Sequence, residues 1–272
     1  MGKIVRQVER CAAATGLFWV MGSSPALAGA WNQPAGDGQI ILTSLWTSGD
    51  FVFADNGDRT PIMDFSKTES RLFAEYGVSD RWTLTANAAY QTINYDSPDS
   101  AFTFKDFDET ELGLRYQVKR KRGQAISVQA SYIWDGGPMD NILDIGGDRD
   151  MVELRGLWGQ SWETSRGDFF TDAQIAGRME TGGRYQSTSL DVTLGYKPTD
   201  KWMIMLQNYT RHAEAEEALG FRVPAQAYLK SHASITYRYK AGQRLQLGYV
   251  KTLLGKNIVQ EGGFTLGVWW EY

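Results

Sequence analysis

The last nine residues of the chain, 264–272, read Phe-Thr-Leu-Gly-Val-Trp-Trp-Glu-Tyr and alternate between two sets of side chains. One set is wholly apolar and ends on an aromatic ring; it comprises Phe264, Leu266, Val268, Trp270 and Tyr272. Successive side chains of a β-strand point to opposite faces, so this spacing predicts a strand with one apolar face. The alternation alone does not say whether that face meets lipid or a protein core.

The same alternation recurs along the chain and predicts about twelve strands of about ten residues each, the first at Gly38–Thr47. Where charged residues occur in these segments, they lie opposite the apolar face. If the apolar face meets lipid, the charged side chains point into a barrel lumen. The candidate lumen-lining residues are Lys67, Glu69, Arg71, Glu75, Glu111, Arg115, Glu153, Arg155, Asp172, Arg178, Asp191, Lys230 and Arg238.

The lengths of the connections give an independent indication of the topology. Short turns are predicted at 79–81, 122–123, 165–167, 198–200 and 241–242. Longer segments alternate with them, at 49–64, 94–106, 135–150, 213–224 and 253–262, and 181–185 is a short exception. Outer-membrane barrels place short turns at the periplasmic end and longer loops outside. We therefore expect both chain ends at the periplasmic side.

Two of the predicted turns repeat one another. Residues 76–82 read Tyr-Gly-Val-Ser-Asp-Arg-Trp, and residues 196–202 read Tyr-Lys-Pro-Thr-Asp-Lys-Trp. Each turn has an aromatic residue at both ends, which is typical of the aromatic girdle at a membrane boundary. A repeated hairpin turn, in which Asp and Ser are good turn formers, is the simpler alternative.

The closing strand resembles that of Gram-negative bacterial outer-membrane barrel proteins, in which the final aromatic residue is part of the assembly signal. The chain also resembles uncharacterised outer-membrane barrels, some associated with hydrophobic-compound degradation pathways, in its strand pattern and turn motifs. The resemblance implies an all-β fold for residues 29–272: a closed, antiparallel transmembrane β-barrel. It also implies outer-membrane lipid, lipopolysaccharide and the barrel-assembly machinery as partners.

The main alternative is a soluble barrel or sandwich with its apolar faces turned inward. A sheet within hydrocarbon must close on itself, because an unpaired edge has no water to bind. Regular strand lengths of about ten residues and the charge pattern favour the membrane version.

Residues 1–28 are typical of a secretory signal peptide. Lys3, Arg6 and Arg10 precede an apolar run at 11–21, and the small residues that follow predict cleavage after Ala28. The apolar run is too short for a membrane helix, which needs about 20 residues. Cleavage changes the formal net charge from −4 to −6 and removes the single cysteine. No disulfide is therefore expected in residues 29–272.

The sequence gives little support to enzymatic, metal-binding or nucleic-acid functions. The two histidines are His212 and His232. Ser234 shares the face of His232, but no hydrolase motif surrounds the pair. The Asp-rich segment 135–150 matches no calcium-loop spacing, and the basic run 119–122 fits a turn better than a nucleic-acid site. We expect no cofactor, no metal and no nucleic-acid partner.

The leading functional hypothesis is an outer-membrane channel, or passive uptake barrel, with a charged lumen and a small solute as cargo. The first alternative is a closed structural or surface-interaction barrel that functions through its extracellular loops. A membrane-embedded hydrolase is a distant third. The sequence does not identify a solute, because both an open channel and a salt-bridged wall require a polar interior.

Overall fold

The computed structural model describes residues 29–62, 64–97, 100–134, 150–182, 186–218 and 221–272. Within these ranges the regular structure is all β, and no helix is long and apolar enough to cross a membrane. The strands are β1 (Gly38–Ser48), β2 (Phe51–Phe53), β3 (Arg59–Pro61), β4 (Asp64–Ser79), β5 (Trp82–Ser97), β6 (Ser100–Phe107), β7 (Thr110–Lys121), β8 (Gln124–Trp134), β9 (Met151–Thr164), β10 (Gly167–Glu180), β11 (Gln186–Lys197), β12 (Trp202–Ala213), β13 (Glu216–Ala218), β14 (Phe221–Val223), β15 (Gln226–Lys240), β16 (Gln243–Lys256), β17 (Ile258–Val259) and β18 (Gly262–Glu271).

The long strands form one closed antiparallel ring. Their order is β4, β1, β18, β16, β15, β12, β11, β10, β9, β8, β7 and β5, and β4 pairs with β5 to close it. β6 and β7 follow one another along β5 and share one position in the ring. The first and last strands pair, and the Gly38 amide donates to the Tyr272 carbonyl at 2.8 Å. The predicted closed barrel of twelve strands is confirmed.

One end of the barrel, which we call the short-turn end, has the tight connections. The turns after β4, β7, β9, β11 and β15 lie there, together with the start of β1 and the end of β18. At the opposite, long-loop end, β2, β3 and β17 form a small sheet, and β13 pairs with β14. The predicted alternation of short and long connections is therefore present.

Two predicted loops are partly wrong. Residues 94–106 are predicted to be a long connection between strands, but β5 and β6 keep pairing as far as Ser97 and Ser100. Residues 213–224 contain the end of β12 and the β13–β14 hairpin. The apolar alternation fails to mark these strands because a hairpin that extends beyond the membrane need not turn one face to lipid. The predicted loop 135–150 lies outside the described residues, except for Asp150.

The outside of the barrel carries the apolar side chains. Leu84, Leu154 and Ile175 are 49%, 66% and 65% exposed, although each is aliphatic. Aromatic pairs flank this aliphatic belt near the short-turn end, where the ring centroids of Trp82 and Tyr116 are 4.7 Å apart. Trp202 and Tyr237 lie 4.6 Å apart at the same end. This is the placement predicted for the repeated turn.

Candidate functional site

The barrel interior holds the candidate lumen-lining residues. Those buried inside are Lys67, Glu69, Arg71, Glu75, Arg115, Glu153, Asp172, Arg178 and Lys230. Those partly buried are Glu111, Arg155, Asp191 and Arg238. Among the residues of the C-terminal apolar face, Phe264, Leu266 and Tyr272 are exposed, whereas Val268 and Trp270 are partly buried. In the structure the charged residues therefore lie on the inner face of the strands and the C-terminal apolar residues on the outer face.

A first ion-pair network lies along β4. The Glu69 carboxylate contacts Lys67 Nζ at 2.6 Å and Arg71 Nε at 2.8 Å. Arg71 also contacts the Asp108 carboxylate at 3.3 Å and donates to Asn87 at 3.3 Å. The charges of alternate residues on β4 therefore neutralise one another. Asp108 links this group to the junction of β6 and β7.

A second network is centred on Glu109, which precedes β7. Its carboxylate pairs with Arg178 of β10 and contacts Arg211 of β12 at 3.5 Å. β7 and β12 are five positions apart in the ring of twelve, so this interaction bridges the lumen instead of following the wall. Glu109 consequently narrows the interior near mid-height.

The second network continues along the barrel wall. Arg178 contacts Glu153 at 2.6 Å, and Glu153 contacts Arg155 at 2.7 Å. Arg155 then reaches Asp191 on β11 at 2.9 Å. Paired and hydrogen-bonded charges are the form in which ions are tolerated when buried. The network therefore both lines and occupies the middle of the lumen.

Two further buried pairs complete the charged layer. Arg115 contacts Glu75 at 2.8 Å, and Lys230 contacts Glu261 at 2.5 Å. Thr47 also donates to Glu261, at 2.6 Å. The first pair joins β7 to β4, and the second joins β15 to the residue that precedes β18.

Apolar clusters lie on both sides of the charged layer. At the short-turn end the cluster consists of Ile41, Phe73, Phe170, Met203, Met205 and Trp269. Toward the long-loop end, Phe53 and Ile258 of the small sheet pack with Tyr209 and Tyr228. Apolar clusters therefore flank the ion-pair networks on both sides, which the strand pattern did not predict. Arg244, near the short-turn end, is also buried and pairs with Glu271 at 3.2 Å.

The N-terminal segment, which we define as residues 29–33, lies inside the barrel at the short-turn end. The Ala30 amide donates to the Asp172 carboxylate at 2.9 Å, and the Ala30 carbonyl accepts from Ser127 at 2.6 Å. Gln33 donates to Thr83 at 3.1 Å through its backbone amide and to Glu75 at 3.0 Å through its side chain. The segment thus contacts strands on several sides of the lumen.

Two small cavities lie within the described part of the charged layer. A cavity of about 30 Å³ lies beside Arg115, Arg155 and Asp191, and one of about 60 Å³ lies beside Arg71, Lys230 and Glu261. Tyr209 lines both cavities. Each can hold a few water molecules at most.

The histidines do not form a catalytic constellation. His232 contacts Gln207 through Nδ1 at 3.1 Å and Thr265 through Nε2 at 2.9 Å. Ser234, its predicted neighbour, accepts instead from Gln246 at 3.0 Å. His212 is exposed on the outside. Among the described residues, neither histidine has both a carboxylate and a nucleophile within hydrogen-bond reach, the arrangement that covalent catalysis requires.

The sequence reasoning missed several interior residues. Asp108 and Glu109 lie at the junction of β6 and β7, next to a segment predicted to be a loop. Arg211 has no predicted role, but it is buried inside the barrel, whereas the adjacent His212 faces outward. Glu261 was assigned to a loop. The consecutive charges at 108–109 break the alternation, and that break is the signal of a β-bulge directed into the lumen.

Comparisons with known proteins agree with the fold. No family model matches the chain, and no curated protein matches it in sequence. The COG4313 outer membrane channel from Pseudomonas putida F1 has a similar structure, with a TM-score of 0.71 and 13% identity, over 92% of this chain and 100% of that one. The translocator domain of the autotransporter NalP from Neisseria meningitidis gives a TM-score of 0.55 at 11% identity, over 99% and 96%. The chain has the fold of an outer-membrane β-barrel.

Proposed function

We propose that the protein is an outer-membrane channel for a small polar or charged solute, made with a signal peptide that is removed after Ala28. The observation that supports this most directly is the charged middle layer, which includes Glu109, Arg178 and Arg211. Replacing a buried ion pair with packed apolar residues is often neutral or stabilising by about 1–4 kcal/mol. Stability alone therefore does not explain why the layer is charged, whereas conduction of a polar solute does.

The structural neighbours support the proposal at the level of the class. The Pseudomonas putida protein is described as an outer membrane channel. Because both signs of charge meet around the lumen, we propose that the preferred solute carries polar or zwitterionic groups that can exchange partners with the networks. The small cavities indicate that such passage requires the ion pairs to rearrange.

The test is single-channel recording from the mature protein in a planar lipid bilayer. We expect discrete conductance steps whose ion selectivity changes when charges of the middle layer are neutralised. The absence of both conductance and solute flux from refolded, heat-modifiable protein would contradict the channel proposal.

A second candidate function is a closed barrel that acts through its surface loops. The observation in its favour is the filled interior, in which Glu109 bridges to Arg211 across the lumen. Under this alternative, removing residues 135–150 abolishes binding to cells or surfaces while the barrel still folds. Unchanged binding after that deletion counts against it.

A further inference from the structure

We propose that residues 29–33 form a retractable plug that closes the short-turn end of the lumen, so that a solute path exists only when the segment withdraws. This inference rests on the proposed channel function. It concerns a part of the chain that precedes the first strand and contributes nothing to the closure of the barrel.

The contacts of the plug are directed at its backbone. Asp172 accepts from the Ala30 amide, whereas Gln117 and Ser127 donate to the Ala30 carbonyl at 2.9 Å and 2.6 Å. These three side chains belong to β10, β7 and β8, and Ala30 is fully buried among them. Lumen side chains that satisfy the backbone groups of a buried, non-strand segment provide a site for an extended peptide.

A socket in the wall receives the one large side chain of the plug. A Cβ placed on Gly159 would lie 2.3 Å from the Trp31 ring, so this ring occupies the space of a side chain at position 159. Trp31 also packs against the buried cluster of Ala30, Ala125 and Leu157. Glycine at 159 is therefore required by the docked ring.

Asp172 supplies a charge that suits the end of the plug. Among the described residues, its carboxylate accepts from Gln174 at 2.6 Å and from Ala30, and no lysine or arginine forms an ion pair with it. A Cβ on Gly29 would lie 2.5 Å from Gln174 Nε2, which places Gly29 beside the same carboxylate. Cleavage after Ala28 leaves the α-ammonium of Gly29 there, where it can pair with Asp172.

Burial of the Asn32 side chain opposes insertion of the plug. Both polar atoms of the Asn32 side chain are buried without a hydrogen-bond partner in the described part of the chain. Such unpaired groups oppose insertion, because they lose hydration without compensation. A turn links the plug to β1, and Gly36 at its centre has φ of +88°, a conformation that glycine adopts freely. The segment can therefore move about this turn while β1 stays paired.

The experiment measures insertion and conduction separately. Residues 29–272 contain no cysteine, so an Asn32→Cys variant reports its own exposure to a charged, membrane-impermeant thiol reagent. Filling the socket with Gly159→Leu displaces Trp31, and we expect labelling of Cys at position 32 to accelerate on the order of tenfold, with a higher open probability in bilayers. Trp31→Ala removes the same contact by shortening the side chain of the plug. It replaces Gly159→Leu in the experiment if that variant does not fold.

The matched control is Gly156→Leu on the same strand. A Cβ at position 156 faces outward, 3.7 Å from Ile175 Cγ2, so this variant should leave labelling and conductance unchanged.

Asp172→Asn keeps a hydrogen-bond acceptor but loses the charge, and it should accelerate labelling if the α-ammonium pairs there. The plug proposal is wrong if Asn32→Cys, in the otherwise unchanged chain, is labelled as fast as Thr199→Cys, which reports an exposed turn residue. If Gly159→Leu accelerates labelling at position 32 but no variant conducts, the channel proposal fails. The result still supports an inserted segment that can be displaced.

Discussion

At the scale of single residues, Glu109 is the carboxylate that pairs with two arginines across the lumen. Its carboxylate joins Arg178 of β10 and Arg211 of β12, two strands that are separated in the ring by β11 alone. We expect Glu109→Gln to shift the reversal potential in a salt gradient toward anion selectivity, because two buried guanidinium groups lose their shared counter-ion. Removing one partner of a buried ion pair costs about 3–5 kcal/mol, so the denaturation midpoint in detergent should also fall.

The control for this substitution is Glu163→Gln, which removes the same charge from an exposed position near the short-turn end. It should alter neither stability nor selectivity appreciably, because exposed charges are screened by solvent and salt. Equal effects of the two variants would mean that Glu109 does not lie on the conduction path.

The limits of sequence reasoning are also clearest at individual residues. Lys67, Glu69 and Arg71 could be assigned to the interior because they alternate with uncharged residues on a regular strand. The alternation also puts Trp269 on the inner face, but its packing with Ile41 and Met203 could not be predicted, because alternation gives the face of a side chain and not its neighbours on other strands. The contacts of Ala30 were inaccessible for a different reason: its segment has no periodicity, and its partners come from strands about 90–140 residues away.

At the scale of elements, the C-terminal strand has two separable roles. Structurally it closes the ring against β1, and the Tyr272 ring covers Gly38, where a Cβ would lie 2.6 Å from the ring. Its outward residues are also the predicted assembly signal, which no contact within the folded barrel can test. Period-two alternation was sufficient to predict the element, but its registers with β1 and β16 follow only from closure of the barrel.

Tyr272→Ala separates these two roles. We expect the yield of heat-modifiable protein in outer-membrane fractions to fall several-fold, because the terminal aromatic is lost from the assembly signal. Refolding of the purified chain into detergent should change little, since the Tyr272 backbone still exchanges hydrogen bonds with Gly38 at 2.8 Å and 3.0 Å. Leu247→Ala, at an outward-facing position of β16, provides a control outside the predicted assembly signal. If the yield of folded protein falls equally in cells and in refolding, Tyr272→Ala weakens the folded barrel and not its assembly signal.

At the scale of the whole molecule, stability comes from an interior arranged in layers. Apolar clusters near the two ends enclose the charged layer, and the small sheet of β2, β3 and β17 contributes Phe53, Ile258 and Val259 to the packing at the long-loop end. The outer surface is instead an apolar belt whose side chains are exposed. A soluble β-sandwich would instead bury its apolar faces and expose its charged ones. In this barrel we therefore expect substitutions of interior residues to lower the free energy of unfolding more than substitutions of outward-facing residues.

The adjacent residues Trp269 and Trp270 allow that difference to be measured with one substitution type. Trp269 is 1% exposed, packs with Ile41 and Met203, and donates to Gln246 at 3.2 Å, whereas Trp270 lies on the outer face. Trp269→Ala leaves a cavity, which for a buried Trp typically costs about 3–5 kcal/mol, and it also removes the donor to the Gln246 side-chain oxygen. Trp270→Ala removes only contacts that detergent or lipid can replace, so its effect should be markedly smaller. Guanidinium unfolding in micelles, followed by circular dichroism and gel mobility, measures both; an equal or larger loss for Trp270→Ala would show that the outer face, not the layered interior, controls the stability of the barrel.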